Sequence, residues 1–122
     1  MKYVSTRGGG EEVSFETACL AGLAPDGGLY TPVSYPQIAP PSAGESYLSI
    51  ASRVLGAFAG DTISPDTMAT LVERAYGSFA HQSVTPLFQV GPDRWLLELH
   101  HGPTLAFKGV AMQIIAPIYD HF

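Results

Sequence analysis

The sequence predicts an α/β (or α+β) fold whose first part is mostly helical, with short strands. Two amphipathic stripes follow serine residues that can cap helices, Ser46 and Ser64. Two short apolar runs are separated by a Gly-Pro-Asp turn signal at residues 91–93, and this pattern is typical of two short strands. Helical and strand patterns therefore occur together in one short chain, which indicates a mixed domain.

The first thirty residues predict two short strands, a helix and a turn. Residues 2–5 suit a strand, and Ser14 can cap a helix that ends at Gly22. The Pro-Asp-Gly-Gly run at residues 25–28 predicts a turn, because glycine adopts positive φ at little cost. Residues 29–31 predict the second strand.

Two longer helices come next, each with an apolar face at helical spacing. We expect them to end at Gly60 and Gly77, and Pro65 suits the first turn of the second. The faces comprise Tyr47, Ile50, Ala51, Val54, Leu55 and Phe58 in the first helix, and Met68, Leu71, Val72, Ala75 and Tyr76 in the second. We interpret both faces as helix-packing surfaces.

The last part of the chain predicts two strands and a helix. The strands cover residues 87–90 and 94–99, and the helix begins near Leu105 or Ala106. Its apolar face consists of Val110, Ile114 and Ile118. Pro117 is expected to interrupt or kink this helix. Because the helical pattern continues to the last residue without a cap, we expect the domain to be truncated.

Composition limits the partners that the chain can have. Charged residues make up 14% and hydrophobic residues 46% of the 122 residues, so we expect apolar surface that more chain or a second copy would cover. The net charge is -5 and the six basic residues are dispersed, which excludes a nucleic-acid interface. Cys19 is the single cysteine, and neither a signal peptide nor a membrane span is predicted, so a cytoplasmic location is expected.

Lys108 is the most informative residue. The chain has only one other lysine, Lys2, and the nearest acidic residue before Lys108 is Glu98. Apolar surroundings disfavour the charged form of an amine, and a neutral amine can attack an aldehyde to form a Schiff base. Lys108 also lies where a strand gives way to a helix, a common position for sites in α/β proteins. A lysine that merely extends from a helix start into solvent is the alternative.

The histidines give a weaker signal. His100 and His101 are adjacent, and on a strand they would point to opposite faces. Neither His81 nor His121 lies at a spacing typical of a metal site, so no metal is predicted. His101 could line a pocket beside Lys108, although a loop histidine bonded to the backbone is the simpler interpretation.

Residues 97–108 resemble threonine synthase, which carries a stretch like Leu-Glu-Leu-Phe-His-Gly-Pro-Thr-Leu-Ala-Phe-Lys-Asp around its pyridoxal-phosphate lysine. Residues 3–8 and 22–30 resemble the opening segment of that family, and residues 85–87 its entry into the catalytic domain. The resemblance covers nearly the whole chain. It implies an N-terminal domain at residues 1–84 and the first strands and helix of an incomplete, truncated catalytic domain at 85–122.

The resemblance also implies an activity and a site. Threonine synthases are pyridoxal-phosphate enzymes of fold type II that convert O-phospho-L-homoserine and water to L-threonine and phosphate. By this resemblance Lys108 is the catalytic residue and the Schiff-base lysine. Thr104 and Phe107 would lie near the cofactor as its neighbours, without an assigned role.

Two departures from the family pattern concern the last helix. Gly109 stands where the family usually has Asp, which removes a favourable charge from the first turn and weakens the helix start. Pro117 falls where the family helix normally continues. Family members are also several times longer than this chain, so we expect these 122 residues alone to be inactive.

Two other interpretations remain at this stage. The chain could be a non-catalytic module that associates with itself through exposed apolar surface, for instance by exchange of the last helix. It could also belong to another pyridoxal-phosphate enzyme of the same broad fold, such as a threonine dehydratase. The run at residues 102–108 argues against the dehydratase.

Overall fold

The computed structural model describes residues 1–122 and contains four helices and five strands. In chain order the elements are β1 (Lys2–Ser5), β2 (Val13–Ser14), α1 (Phe15–Ala21), β3 (Tyr30–Pro32), α2 (Tyr47–Ala59), a 3-10 turn (Gly60–Thr62), α3 (Pro65–Tyr76), β4 (Leu87–Gly91), β5 (Arg94–Leu97) and α4 (Phe107–His121). The mixture of helix and strand confirms the predicted α/β class. None of the four helices combines the length and the apolar character that a membrane span requires.

The first sheet has three short antiparallel strands in the order β2-β1-β3. Tyr3 in the central strand pairs with Val13 on one side and Pro32 on the other. Strand β2 was not predicted, because two residues are too few to show an alternating pattern. Strand β3 begins at Tyr30, one residue later than predicted, while the backbone N–H of Thr6 donates to the carbonyl of Leu29 at 2.8 Å.

The turn at residues 25–28 is fixed to β1 by the carboxylate of Asp26. This carboxylate accepts hydrogen bonds from the Ser5 hydroxyl at 2.7 Å, from the Gly28 N–H at 2.9 Å and from the Gly9 N–H at 3.0 Å. A Cβ at Gly28 would lie 2.2 Å from the Ser5 Oγ, so this position accepts only glycine without rearrangement. The glycine-rich segment after β1 is therefore held in place by the turn.

Serine caps begin the first three helices where the sequence predicts them. Each hydroxyl accepts a hydrogen bond from a backbone N–H three residues later: Ser14 from Thr17 at 3.1 Å, Ser46 from Ser49 at 3.2 Å and Ser64 from Thr67 at 3.2 Å. These bonds satisfy one of the free donors that every helix start exposes. The helices end at Gly22, Gly60 and Gly77, which confirms the predicted glycine stops.

The hydrophobic core lies between α3 and its neighbours α2 and α4. The predicted face of α3 is entirely buried, comprising Met68, Leu71, Val72, Ala75 and Tyr76. Ile114 and Ile118 from the predicted face of α4 are buried in the same core. The face of α2 is only half-buried: Tyr47, Ala51 and Leu55 pack against the core. Apolar residues of the first and last parts of the chain thus share one core.

Helix α4 continues through Pro117, so the interruption expected from the sequence does not occur. The helix runs from Phe107 to His121 with Pro117 inside it. Pro117 cannot donate the usual backbone hydrogen bond. Its ring is buried together with Ile118 and Ile114 on the face that packs on α3, and this burial offsets the missing bond.

Strands β4 and β5 form a separate antiparallel hairpin. Leu87 pairs with Leu97 and Phe88 with Leu96, and a bulge lies between Gln89 and Gly91. Every residue of β5 is exposed. The strand ends at Leu97, two residues earlier than predicted, because the chain turns away toward the loop that precedes α4.

Candidate active site

Lys108 lies in the first turn of α4, as the sequence predicts. The turn before the helix is tight: the N–H of Leu105 donates to the carbonyl of Gly102 at 3.0 Å, and Leu105 has a φ of 55°. A non-glycine residue in this left-handed region stores backbone strain, and such strain is concentrated at functional sites. Ala106, the residue before the helix, supplies no side-chain cap. Lys108 therefore lies in the first turn of a helix that has no side-chain cap.

The apolar enclosure expected around Lys108 does not form within these 122 residues. The Lys108 side chain is exposed, and its amine makes neither a hydrogen bond nor an ion pair. Its neighbours Leu105 and Phe107 are 76% and 64% exposed. The sequence predicted apolar neighbours correctly but not their exposure, because a local pattern does not show which side of a helix start faces solvent.

Thr104 lies beside the first turn of α4. A Cβ at Gly109 would lie 2.3 Å from the Thr104 Oγ1, so the hydroxyl occupies the space that a side chain at position 109 would need. Gly109 itself is buried. The structure thus brings Thr104 against the turn that carries Lys108, whereas the Phe107 ring points outward.

The turn that carries Lys108 is anchored to α3 by Tyr76. The Tyr76 hydroxyl donates to the carbonyl of Val110 at 3.0 Å. Burial of the ring disfavours the phenolate, and with a smaller effect of Tyr47 it raises the pKa of Tyr76 to about 12. The hydroxyl consequently stays protonated, and remains a donor, throughout the physiological range.

A group of polar side chains lies in the loop between β5 and α4. His101 Nε2 and Glu98 Oε2 are 2.7 Å apart, and the rings of His100 and His101 are stacked with centroids 4.5 Å apart. The hydrogen bond from His101 holds the pKa of the Glu98 carboxyl below its usual value. The His81 ring lies 5.2 Å from that of His101. The spacing of the histidines did not predict that Glu98 and His81 contact His101, although Glu98 lies only three residues before it.

The comparisons with known proteins all indicate one family. A family model described as "Threonine synthase N terminus" matches residues 2–76. The threonine synthase of Pseudomonas aeruginosa is 42% identical over 99% of this chain and 27% of its own length. That of Schizosaccharomyces pombe is 41% identical over 100% of this chain and 25% of its own length.

Solved structures agree with the sequence relatives. The crystal structure of PLP-bound threonine synthase from Brucella melitensis matches with a TM-score of 0.92 and 47% identity, over 99% of this chain and 27% of that one. Yeast threonine synthase matches with a TM-score of 0.88 and 35% identity, over 99% and 26%. The chain spans about a quarter of the length of the relatives that it matches.

Proposed function

The chain belongs to the threonine synthase family, and we propose that it supplies the cofactor lysine of an enzyme that converts O-phospho-L-homoserine and water to L-threonine and phosphate. The observation that carries this proposal is the free amine of Lys108, which extends from the first turn of α4 within a stretch that resembles the lysine segment of the family.

The residues around Lys108 fit the carbonyl end of pyridoxal phosphate. The amine has no competing partner, so it is available to an aldehyde. Leu105 and Phe107 precede it in the chain and provide exposed apolar surface, against which an aromatic ring can lie. Thr104 places a hydroxyl beside the same turn. We therefore propose Lys108 as the Schiff-base lysine, with Thr104 and Phe107 as its neighbours in the cofactor site.

The chain contributes three actions to this chemistry. When bound, pyridoxal phosphate acts as an electron sink for the substrate carbons. Lys108 holds the cofactor at its Nζ and, once released, carries protons at the same atom to and from the substrate. Tyr76 fixes the turn through its bond to Val110, so that the backbone that carries Lys108 keeps one position.

We propose that the chain divides at residue 84 into an N-terminal domain, 1–84, and the beginning of the catalytic domain, 85–122. The family model matches residues 2–76, which supports a boundary shortly after α3. Helix α4, from the second of these parts, packs on α3 of the first. Because the chain spans only about a quarter of the length of the relatives that it matches, we propose that these 122 residues alone do not release phosphate from O-phospho-L-homoserine.

A chimera tests the assignment of Lys108. This chain would replace the matching N-terminal quarter of the Brucella melitensis enzyme, and the product would be treated with pyridoxal phosphate, reduced with borohydride and mapped by peptide mass. We expect one pyridoxyl group, on Lys108, and none in a Lys108→Arg chimera. A Lys2→Arg chimera serves as the control and should label normally. Labelling at Lys2, or at Lys108 and Lys2 alike, would overturn the assignment.

A second function, self-association, is favoured by a large exposed apolar surface. It includes Leu87, Phe88, Val90, Trp95, Leu96 and Leu97 of the hairpin, and Phe107, Met112, Ile115 and Tyr119 of α4. Exposed apolar patches often mark sites of protein association. We expect the chain to form dimers or larger assemblies in sedimentation experiments, and the substitution Trp95→Lys to shift it toward monomer. A wild-type chain that stays monomeric at high concentration would contradict this function.

We also propose a cytoplasmic location and no nucleic-acid partner. Cys19 is a free thiol, which suits a reducing compartment. The basic side chains are dispersed, and Arg53 and Arg74 are paired with Glu45 and Asp120. Localisation of a tagged full-length protein by microscopy tests the first proposal, and an unchanged mobility of labelled DNA tests the second.

A further inference from the structure

Three potential metal ligands converge in the loop between β5 and α4. One ligand atom each from Glu98, His100 and His101 can be chosen so that all three lie within 4.8 Å of one another. His101 and Glu98 are already in contact at 2.7 Å. None of the three takes part in the chemistry proposed for Lys108, so the cluster has no role there.

The distances suit a small transition-metal ion after minor adjustment. Ligands about 2.0–2.2 Å from a tetrahedral ion lie about 3.3–3.6 Å from each other. The observed separations, from 2.7 Å to at most 4.8 Å, bracket this value. The residues lie just after β5, and their backbone is held in place: the Glu98 N–H donates to the Pro86 carbonyl at 3.0 Å, and the His101 carbonyl accepts from the Ala80 N–H at 2.9 Å. Rotation of the three side chains is therefore enough to bring their ligand atoms to one ion.

The surroundings leave one side of the cluster open. The side chains of Glu98 and His101 are 25% and 19% exposed, whereas His100 is exposed as a whole residue. Two imidazoles and a carboxylate with a position open to solvent form a ligand set that zinc uses in proteins. His81 lies next to His101, but its Nδ1 accepts a hydrogen bond from the Ser83 N–H at 3.0 Å. We therefore assign His81 to packing.

We propose that Glu98, His100 and His101 form a binding site for a divalent transition-metal ion such as Zn²⁺, with solvent at the fourth position. Binding replaces the hydrogen bond between Glu98 and His101 with two bonds to the metal, and the imidazole proton of that bond is released or moves to the other ring nitrogen. Because Lys108 follows in the same segment, an occupied site would fix the loop that leads into α4. The inference rests on the loop geometry and not on the proposed enzymatic function.

Cobalt and zinc titrations test the site. Co²⁺ is the probe, since tetrahedral Co²⁺ with nitrogen ligands absorbs visible light, and Zn²⁺ displaces it. We expect saturation at one ion per chain. His100→Phe keeps an aromatic ring against His101 but removes both nitrogens, and we expect it to weaken binding by at least about tenfold, as loss of even an indirect partner of a metal does. Glu98→Gln is the second variant and should weaken binding similarly.

Matched controls separate this site from other histidines and from the proposed enzyme. His121→Phe makes the same substitution at an exposed position on α4, and His81→Phe makes it beside the cluster; both should bind Co²⁺ as the wild type does. Lys108→Ala should also bind normally, so that failure of the lysine assignment leaves this result intact. Absence of saturable Co²⁺ binding, or equal affinity of the wild type and His100→Phe, would overturn the proposal.

Discussion

The Tyr76 hydroxyl donates a hydrogen bond of 3.0 Å to the carbonyl oxygen of Val110, two residues after Lys108. It joins the last residue of α3 to the first turns of α4, over a separation of 34 residues. Tyr76 is also part of the core, with 6% of its surface exposed. The position of the lysine segment therefore depends on packing in the first part of the chain.

Burial of the Tyr76 ring predicts a loss of stability at alkaline pH. The pKa of Tyr76 is raised from 10.0 to about 12, so the folded chain keeps its proton where the unfolded chain loses it. The stabilising contribution is complete below about pH 10 and is lost as the pH rises to about 12. Urea unfolding should show a decline on the order of 2 kcal/mol over this window. In Tyr76→Phe the decline should be smaller, and an equal decline would contradict the assignment.

The stability of the folded chain at acid pH depends on Asp26. The Ser5 hydroxyl, and next the Gly28 N–H, lower the pKa of this carboxyl. Its contribution to stability is present above the unfolded pKa, about 3.9, and is lost as the pH falls through the lower folded pKa. Asp26→Asn should thus lower Tm at pH 7, and the difference from wild type should shrink below about pH 4.

A control for Asp26 is the same substitution at an aspartate without side-chain hydrogen bonds. Asp61→Asn meets this condition and should change Tm little at either pH. The account of the turn fails if Asp26→Asn and Asp61→Asn behave alike, or if the effect of Asp26→Asn does not depend on pH.

Two methionines provide a matched test of the core. Met68 is 1% exposed and Met112 is 55% exposed, on α3 and α4 respectively. Met68→Ala leaves a cavity and should lower the free energy of unfolding by about 2–5 kcal/mol. Met112→Ala should change it by no more than about 0.5 kcal/mol. Similar losses in the two variants, measured by chemical denaturation, would contradict the described packing.

The contact between Thr104 and Gly109 predicts a coupled effect on α4. Replacing glycine by alanine in a helix gains about 0.5–1 kcal/mol, but here the new Cβ would lie 2.3 Å from the Thr104 Oγ1. Gly109→Ala should therefore stabilise the chain more in a Thr104→Ala background than in the wild type, by at least about 0.5 kcal/mol.

The control for this pair keeps the hydroxyl. Thr104→Ser retains an oxygen in the same place and should give the wild-type response to Gly109→Ala. Additive effects in the Thr104→Ala background, measured as a double-mutant cycle, would show that the hydroxyl does not restrict position 109.

Regular elements with strong local signals were predictable from sequence. The face of α3 and the serine caps follow from spacing and from one side chain each, so Met68 and Ser64 lie where expected. The sequence predicted an interruption at Pro117 because the loss of a backbone hydrogen bond is a local effect. The burial of the Pro117 ring, which offsets this loss, depends on contact with α3 and is not visible in the local sequence.

The candidate site was predictable only in part. The position of Lys108 at a helix start came from local pattern and from family resemblance, and the structure agrees. The exposure of Lys108 could not be predicted from the sequence, because the local pattern shows which neighbouring residues are apolar but not whether other parts of the chain cover them. The contact of His81 with His101 joins residues that are distant in sequence, and spacing carries no information about such a contact.

The most direct test of the account is phosphate release from O-phospho-L-homoserine by the chimera that carries this chain on the remainder of the Brucella melitensis enzyme. We predict an active chimera, loss of activity to background in Lys108→Ala, and full activity in Lys2→Ala. Absorbance of bound pyridoxal phosphate confirms that the chimera is folded. A folded, cofactor-loaded chimera that releases no phosphate, or a Lys108→Ala chimera that retains activity, would contradict the account.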